Sequence, residues 1–135
     1  MKLIADIKNP QSLRFIIQHD SRAGYYLYMF MGDFCIRDHL QDTFAIAVNQ
    51  ASRDYNVPPE TWKQTDSEPT KWNSEPIRQE PIIYSIESAP QDTFSILIYQ
   101  NDRILYNREQ KNLDKAKSFM LEKFHIPLTA WKQIE

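Results

Sequence analysis

Two similar stretches, NVPPETWKQ at residues 56–64 and HIPLTAWKQ at residues 125–133, reveal how this chain is organised. When Trp62 of the first is placed on Trp131 of the second, residues 13–66 align with residues 82–135 without a gap, with eight of 54 pairs identical. Most of the other apolar positions stay apolar. This pattern predicts an internal repeat in which each stretch ends one copy.

Each copy carries three strand-like segments followed by one helix-like segment. The strand-like segments are rich in β-branched and aromatic residues: LRFIIQH, YYLYMFM and FCIRDH in the first copy, PIIYSIE, FSILIYQ and RILYNR in the second. Gly32-Asp33 and Asn101-Asp102 fit two-residue hairpin turns, because Gly and Asn tolerate a positive φ. The sequence therefore predicts an α+β protein, a tandem duplication of a β-β-β-α unit with antiparallel sheets and one helix per repeat.

The helices follow from apolar residues at helical spacing. The predicted stripes are Phe44, Ala47, Val48, Ala51 and Tyr55 in the first copy, and Leu113, Ala116, Lys117, Met120 and Phe124 in the second. Asp42 or Thr43, and Asn112, are the expected N-caps. Asn56 and His125 are expected in a left-handed conformation at the helix ends, with a buried Val57 or Ile126 after them. The repeated stretches then act as helix stops, and their tryptophans cover one end of the core.

These patterns divide the chain into residues 1–64, a first repeat with an N-terminal extension, a linker at residues 65–80, and a second repeat at residues 81–135. The linker, TDSEPTKWNSEPIRQE, holds two prolines and few apolar residues. Trp72 is unusual in such a segment. Docking on its own protein is the interpretation that we favour, and an exposed recognition anchor is the alternative.

The predicted hairpins have two apolar faces. In the first copy Leu27, Met29 and Ile36 share one face, while the other carries Tyr26, Tyr28, Phe30 and Cys35. In the second copy the division is Ile96, Ile98 and Leu105 against Leu97, Tyr99, Ile104 and Tyr106. One helix can cover only one face. The second face could pack against the other sheet, belong to a six-stranded sheet under another layer, or bind a partner.

Little in the sequence points to chemistry. The three histidines, His19, His39 and His125, lack the spacing of a helical metal site, and Cys35 is the only cysteine. Two glycines, Gly24 and Gly32, do not make a phosphate-binding loop. We therefore expect no catalytic residue, no cofactor and no metal, and predict that the chain is not an enzyme.

Net charge and hydropathy limit the classes of partner that we expect for this chain. The net charge is −2, which argues against nucleic acid, since phosphate neutralisation supplies most of that affinity. No apolar run is long enough for a membrane helix, and the start, MKLIADIKNPQ, lacks the pattern of a signal peptide. The expectation is a cytoplasmic protein without membrane association.

The segment from Leu13 to Ala51, with GYYLYMFMGDFCIRDHLQDTFAIAVNQA, resembles the N-terminal domain of HicB-type antitoxins. The resemblance rests on a three-stranded meander, on Cys35 at the start of the third strand, and on the helix start Asp42-Thr43-Phe44-Ala45-Ile46-Ala47. In size, charge and lack of chemistry the chain also resembles bacterial immunity proteins. Both resemblances imply a small protein that neutralises a toxin by direct binding.

The predicted function is therefore a non-enzymatic protein-binding module of the immunity or antitoxin type, active as a monomer or homodimer. Acidic side chains would steer it to a basic partner. The candidate partner-binding residues are Tyr26, Tyr28, Phe30, Asp33, Asp38, Asp42 and Trp72. The alternatives are an RNA-binding module, with Lys111, Lys115 and Lys117 near phosphates, and a regulatory subunit of an enzyme.

Overall fold

The computed structural model of the chain describes residues 1–6, 12–65, 70–74 and 81–134. In chain order its elements are β1 (Lys2–Ala5), β2 (Leu13–Asp20), β3 (Gly24–Met31), β4 (Phe34–Gln41), α1 (Phe44–Tyr55), β5 (Lys63–Gln64), β6 (Lys71–Ser74), β7 (Ile82–Ala89), β8 (Thr93–Gln100), β9 (Arg103–Gln110), α2 (Leu113–Phe124) and β10 (Trp131–Gln133). The described strands pair antiparallel throughout. The predicted α+β class is confirmed.

The chain divides into two compact units. The central unit is Ser12–Gln79, and the terminal unit joins Met1–Gln11 to Glu80–Glu135. The central sheet has the strand order β4-β3-β2-β6-β5, and the terminal sheet has the order β10-β1-β7-β8-β9. The described strands thus form two sheets of five, instead of one sheet of six. The residues before β2, predicted to extend the first repeat, belong to the terminal unit because β1 pairs with β7 and β10.

The predicted linker contains a strand. Within 65–80, β6 pairs with β2 and β5, because its residues are extended and can fill a place beside a long strand. Residues 66–69 and 75–80, with Pro69 and Pro76, lie outside the described part of the chain. The bounds of β2, β3, β4 and α1 recur in β7, β8, β9 and α2 at the offset that places Trp62 on Trp131, and the same offset places β1 on β6. The duplication itself remains a prediction.

Each helix buries its apolar stripe against one face of its own sheet. In α1 the buried residues are Ala47, Val48, Ala51 and Tyr55, and in α2 they are Ala116, Met120 and Phe124. The N-cap side chains are those of Thr43, which accepts from the Ile46 amide at 3.1 Å, and Asn112, which accepts from the Lys115 amide at 2.8 Å. These bonds satisfy amides that the first turn leaves without partners. Most of the predicted stripe and both N-caps are confirmed.

The helices end as the repeated stretches predict. Asn56 and His125 have φ values of 58° and 57°, in the left-handed region. The next residues, Val57 and Ile126, are buried, and their amides donate to the carbonyls of Ala51 and Met120. A short 3-10 helix follows in each unit, at Pro59–Thr61 and Leu128–Ala130. A left-handed residue followed by a buried apolar one is a standard way to stop a helix.

A bulge decides which residues of the third strand face the helix. The register shifts between Met29 and Phe30 in the central unit and between Ile98 and Tyr99 in the terminal unit. The extra residues, Ile36 and Leu105, are buried. The predicted face of Tyr106 is wrong: it pairs with Ile98, and its ring lies 6.0 Å from that of Phe124 on α2. The bulge reverses the strict alternation on which that prediction rested.

Leu3 is the most buried side chain of β1, at 6% exposure, and it pairs with Ile86 in the core of the terminal unit. We predict that Leu3→Ala lowers the free energy of unfolding by about 2–4 kcal/mol, because truncating a buried leucine removes apolar contact and leaves a cavity. The free energy of unfolding is measured by urea denaturation monitored by circular dichroism. Leu128→Ala, at a leucine that is 52% exposed, is the control and should change stability by less than about 0.5 kcal/mol. Equal effects of the two substitutions would contradict the placement of β1 in the core.

Candidate protein-binding face

The face of the central sheet opposite α1 is aromatic. Along β3, Leu27, Met29 and Met31 are buried on the α1 side, so the alternating residues Tyr26, Tyr28 and Phe30 point to the other side. All three are half-buried. We call the surface formed by Tyr26, Tyr28 and Phe30 with their neighbours on β2 and β4 the aromatic face.

The three rings form a continuous ladder along the strand. The ring centroids of Tyr26 and Tyr28 are 5.7 Å apart with an interplanar angle of 15°, and those of Tyr28 and Phe30 are 6.3 Å apart at 55°. The guanidinium carbon of Arg14, on β2, lies 5.0 Å from the centroid of Phe30. A cation over a ring and rings in mutual contact restrict each other, so the ladder is ordered before any partner binds.

The edge strand β4 places an apolar side chain, an acidic side chain and a thiol beside this ladder. Its register places Leu40, Asp38 and Cys35 beside Tyr26, Tyr28 and Phe30. Leu40 is 49% exposed, and Asp38 is exposed. Burial raises the pKa of Tyr28, helped by Tyr26 and Asp38, so its hydroxyl stays protonated at neutral pH. Burial also raises the pKa of Cys35, which keeps its thiol neutral.

Four of the predicted residues, Tyr26, Tyr28, Phe30 and Asp38, therefore share one face. Asp33 lies in the turn between β3 and β4, at the Phe30 end, and Asp42 follows the last residue of β4. Both are exposed. The three carboxylates thus lie at the middle and at both ends of one sheet edge. An acidic edge beside an aromatic surface suits a partner with a basic surface.

Trp72 lies on the other side of the sheet. It pairs with Ile17 on β2 and so points toward α1, where its ring centroid is 4.5 Å from that of Phe44 and 6.3 Å from that of Tyr25. This packing is the docking that the sequence favours. Trp72 covers the start of α1 and does not contribute to the aromatic face.

The residues that β2 and β6 contribute to this face were not among those predicted from the sequence. Ile16 is 6% exposed and lies beside Tyr28, and Asn73 lies beside Ile16. The Oδ1 atom of Asn73 is buried and has no hydrogen-bond partner among the described residues. Three consecutive buried residues, Phe15 to Ile17, show that β2 is covered on both faces. The apolar run FII was the signal for this, since a strand with one solvated face alternates.

The corresponding face of the terminal unit is less aromatic. Tyr99, the position of Phe30, donates its hydroxyl to Oε2 of Glu87 at 2.9 Å, and Ser85 donates to the same oxygen at 3.1 Å. Burial and this carboxylate raise the pKa of Tyr99. Ile83 and Ile104, the strand neighbours of Tyr99, are 42% and 41% exposed. This face thus has a short apolar row in place of a stacked ladder.

The histidines His19 and His39 and the lysines that the sequence offered as phosphate contacts do not belong to the aromatic face. His39, on the α1 side of β4, has its Nε2 atom 2.7 Å from the hydroxyl oxygen of Tyr55, and His19 stacks on Tyr25 at 4.4 Å. Lys111 and Lys115 are exposed near the start of α2, and Lys117 is half-buried. Among the described residues no group of three or more His, Cys, Asp or Glu side chains could hold a metal ion.

Comparisons of the chain with protein-family models, with curated proteins and with solved structures give no match. In the described part of the chain, neither α1 nor α2 has the length and apolar character that a membrane-spanning helix requires.

The histidine on the α1 side gives a pH dependence of stability. Burial, with a smaller effect of Arg37, lowers the pKa of His39 from its ordinary value of 6.5, although Asp54 and Asp38 act in the opposite direction. In the unfolded chain His39 is protonated at higher pH than in the folded chain. The free energy of unfolding should therefore fall as the pH drops below about 6.5, and it should level off below the folded pKa.

Urea denaturation at several pH values between about 7.5 and about 4.5 measures this slope. His39→Gln should reduce it, because glutamine can still bond to the Tyr55 hydroxyl but does not titrate in this range. A slope that is the same in the variant would contradict the assignment to His39.

Proposed function

We propose that this chain is a non-enzymatic binding protein of the immunity or antitoxin type, which neutralises a partner protein by covering its functional surface with the aromatic face. The observation that carries the proposal is the ordered ladder of Tyr26, Tyr28 and Phe30 beside the carboxylate of Asp38. Tyrosines on a rigid strand make large contacts at a low entropic cost and are frequent hot spots of protein interfaces.

The surroundings of the ladder support a basic partner. Three exposed carboxylates lie along one edge, those of Asp33, Asp38 and Asp42. The nearby cation, Arg14, lies over the ring of Phe30. Exposed acidic groups raise association rates with a basic surface, such as the active site of a nuclease, and an apolar centre then limits dissociation. The same arrangement would serve a regulatory subunit of an enzyme, which differs only in the identity of the partner.

The proposal places the protein in the cytoplasm. Its single cysteine, Cys35, is a free thiol, so the described fold contains no disulfide. A fold that depends on packing alone suits a reducing compartment. In that setting the partner would be a toxin that acts on an intracellular target.

Tyr28 is the central ring of the ladder, in contact with both of the others. Tyr28→Ala should weaken binding of the partner by about 30-fold or more, because a central aromatic anchor contributes roughly 2 kcal/mol or more. Partners captured by the tagged wild-type chain from cells that produce it would be identified by mass spectrometry and then titrated by calorimetry. Ile46→Ser is the matched control: Ile46 is 44% exposed on α1, on the opposite side of the same sheet, and its binding should stay within about threefold.

Thermal unfolding of both variants distinguishes binding from folding. A Tyr28→Ala variant that keeps its melting temperature and loses the partner supports the proposal. If Tyr28→Ala binds as tightly as wild type, or loses binding only in proportion to lost stability, the aromatic face is internal packing and the proposal is wrong.

A salt titration separates a protein partner from RNA. A complex with an apolar centre and an acidic edge should lose less than about tenfold in affinity between about 50 and about 200 mM salt, since only a few ion pairs are screened. An RNA complex with six to ten phosphate contacts would lose about 10³-fold to 10⁵-fold over that range. Capture of RNA with such a steep dependence would contradict the proposal and favour an RNA-binding module.

A further inference from the structure

The terminal sheet is completed by a strand that is distant in sequence from both of its neighbours. β1 lies between β7 and β10 and pairs antiparallel with each. Backbone hydrogen bonds continue beyond the strand, from the Asp6 amide to the Ala130 carbonyl at 2.8 Å and from the Ile134 amide to the Lys2 carbonyl at 2.9 Å. Lys132 adds an ion pair with Asp6 at 2.6 Å. β1 therefore occupies a slot with partners on both sides.

The central sheet has the same slot, filled by β6 between β2 and β5. The two slots share one register: Leu3 pairs with Ile86 as Trp72 pairs with Ile17, and Ile4 pairs with Lys132 as Asn73 pairs with Lys63. Seven residues separate β1 from β2, and seven separate β6 from β7. Each sheet thus takes its inserted strand from the segment that leads into the other sheet.

The two slots differ in how the inserted strand is tethered. In the central sheet, six residues connect β5 to β6, so the filling strand is covalently close to its neighbour. In the terminal sheet, the chain leads from β1 to β2 of the central unit, and neither β7 nor β10 has a short connection to β1. Its occupancy of the slot depends on noncovalent contacts with those two strands.

Those contacts are few enough to exchange. Leu3 is the only residue of β1 that is buried, while Lys2, Ile4 and Ala5 are half-buried. A strand from a second copy would make the same hydrogen bonds and bury the same leucine. The exchange therefore loses no contact, and only the competition between closure within one chain and concentration of the second chain decides the outcome.

We infer that this chain forms a reciprocal dimer in which β1 of each copy enters the slot between β7 and β10 of the other. The partner is a second copy of the chain, and the dimer accumulates when the protein folds at a chain concentration of about 1 mM, which is high enough to compete with closure within one chain. This inference is independent of the binding role of the aromatic face, which lies in the central unit.

A disulfide trap tests the exchange. Ile4→Cys and Ser85→Cys, at positions that pair between β1 and β7, would be combined with Cys35→Ser. The protein would be refolded at about 1 mM and at about 10 µM, then oxidised. We expect a covalent dimer linked between position 4 of one copy and position 85 of the other at the high concentration, and internal disulfides at the low one. Internal disulfides at both concentrations would overturn the inference.

The unmodified chain provides a second measurement that does not depend on the engineered pair. After refolding at about 1 mM and dilution, light scattering should show a dimer with twice the molar mass of one chain, which persists because return to the monomer requires β1 to leave the slot. Leu3→Ala should speed the return to monomer after dilution, because this leucine holds β1 in the slot, and Leu128→Ala should leave the lifetime of the dimer unchanged. A chain that stays monomeric, or a dimer whose lifetime is the same with Leu3→Ala, would refute the exchange.

Discussion

In each unit of this protein, one helix packs against one face of a five-stranded sheet, and the rest of the unit depends on that packing. Each helix of twelve residues covers the side of the sheet that carries Met29 and Leu27, or Ile98 and Ile96. The opposite side must then be satisfied by its own residues or by a partner. Successive side chains of a strand point to opposite faces of the sheet, so an apolar residue on the side opposite the helix lies outside the core beneath the helix. The aromatic face is the result of this geometry.

The ends of the helices make that packing definite. A left-handed Asn56 or His125 turns the chain, and a buried Val57 or Ile126 fixes its return toward the sheet. The tryptophans that follow are half-buried, and the indole Nε1 atoms of Trp62 and Trp131 are buried without a hydrogen-bond partner among the described residues. A tryptophan retained under that penalty contributes mainly through its apolar area. The repeated stretch thus ends the helix and packs its tryptophan against the fold, as its sequence indicates.

Features set by neighbours within a few residues were predictable. The caps of Thr43 and Asn112 and the turns at Gly32 and Asn101 each depend on a local hydrogen bond or on one backbone angle. The division of β3 into a core side and an aromatic side follows from alternation, so Tyr26, Tyr28 and Phe30 could be grouped in advance. Asp38 joined them because β4 is the next strand in a hairpin.

Features set by distant partners were not predictable. β1 and β6 have four residues each, too few to show a period, and their pairing with β7 and β2 depends on residues that are far away or across a loop. The side chosen by Trp72 depends on that pairing, so the sequence could favour its place beside Phe44 without fixing it. The bulge at Leu105 is a single-residue shift that moved Tyr106 to the α2 side, and no composition signal marked it.

The position of β1 also fixes an order of events during synthesis. Leu3 emerges from the ribosome long before its partner Ile86, whereas the central unit has all of its strands once Ser74 has been made. At about 5–20 residues per second, Leu3 waits roughly 4–17 s for Ile86 to be made. During that interval it is a short segment whose only leucine is Leu3, flanked by Lys2 and Asp6. Its brevity and charge limit the wrong pairings that an early, unpaired strand invites.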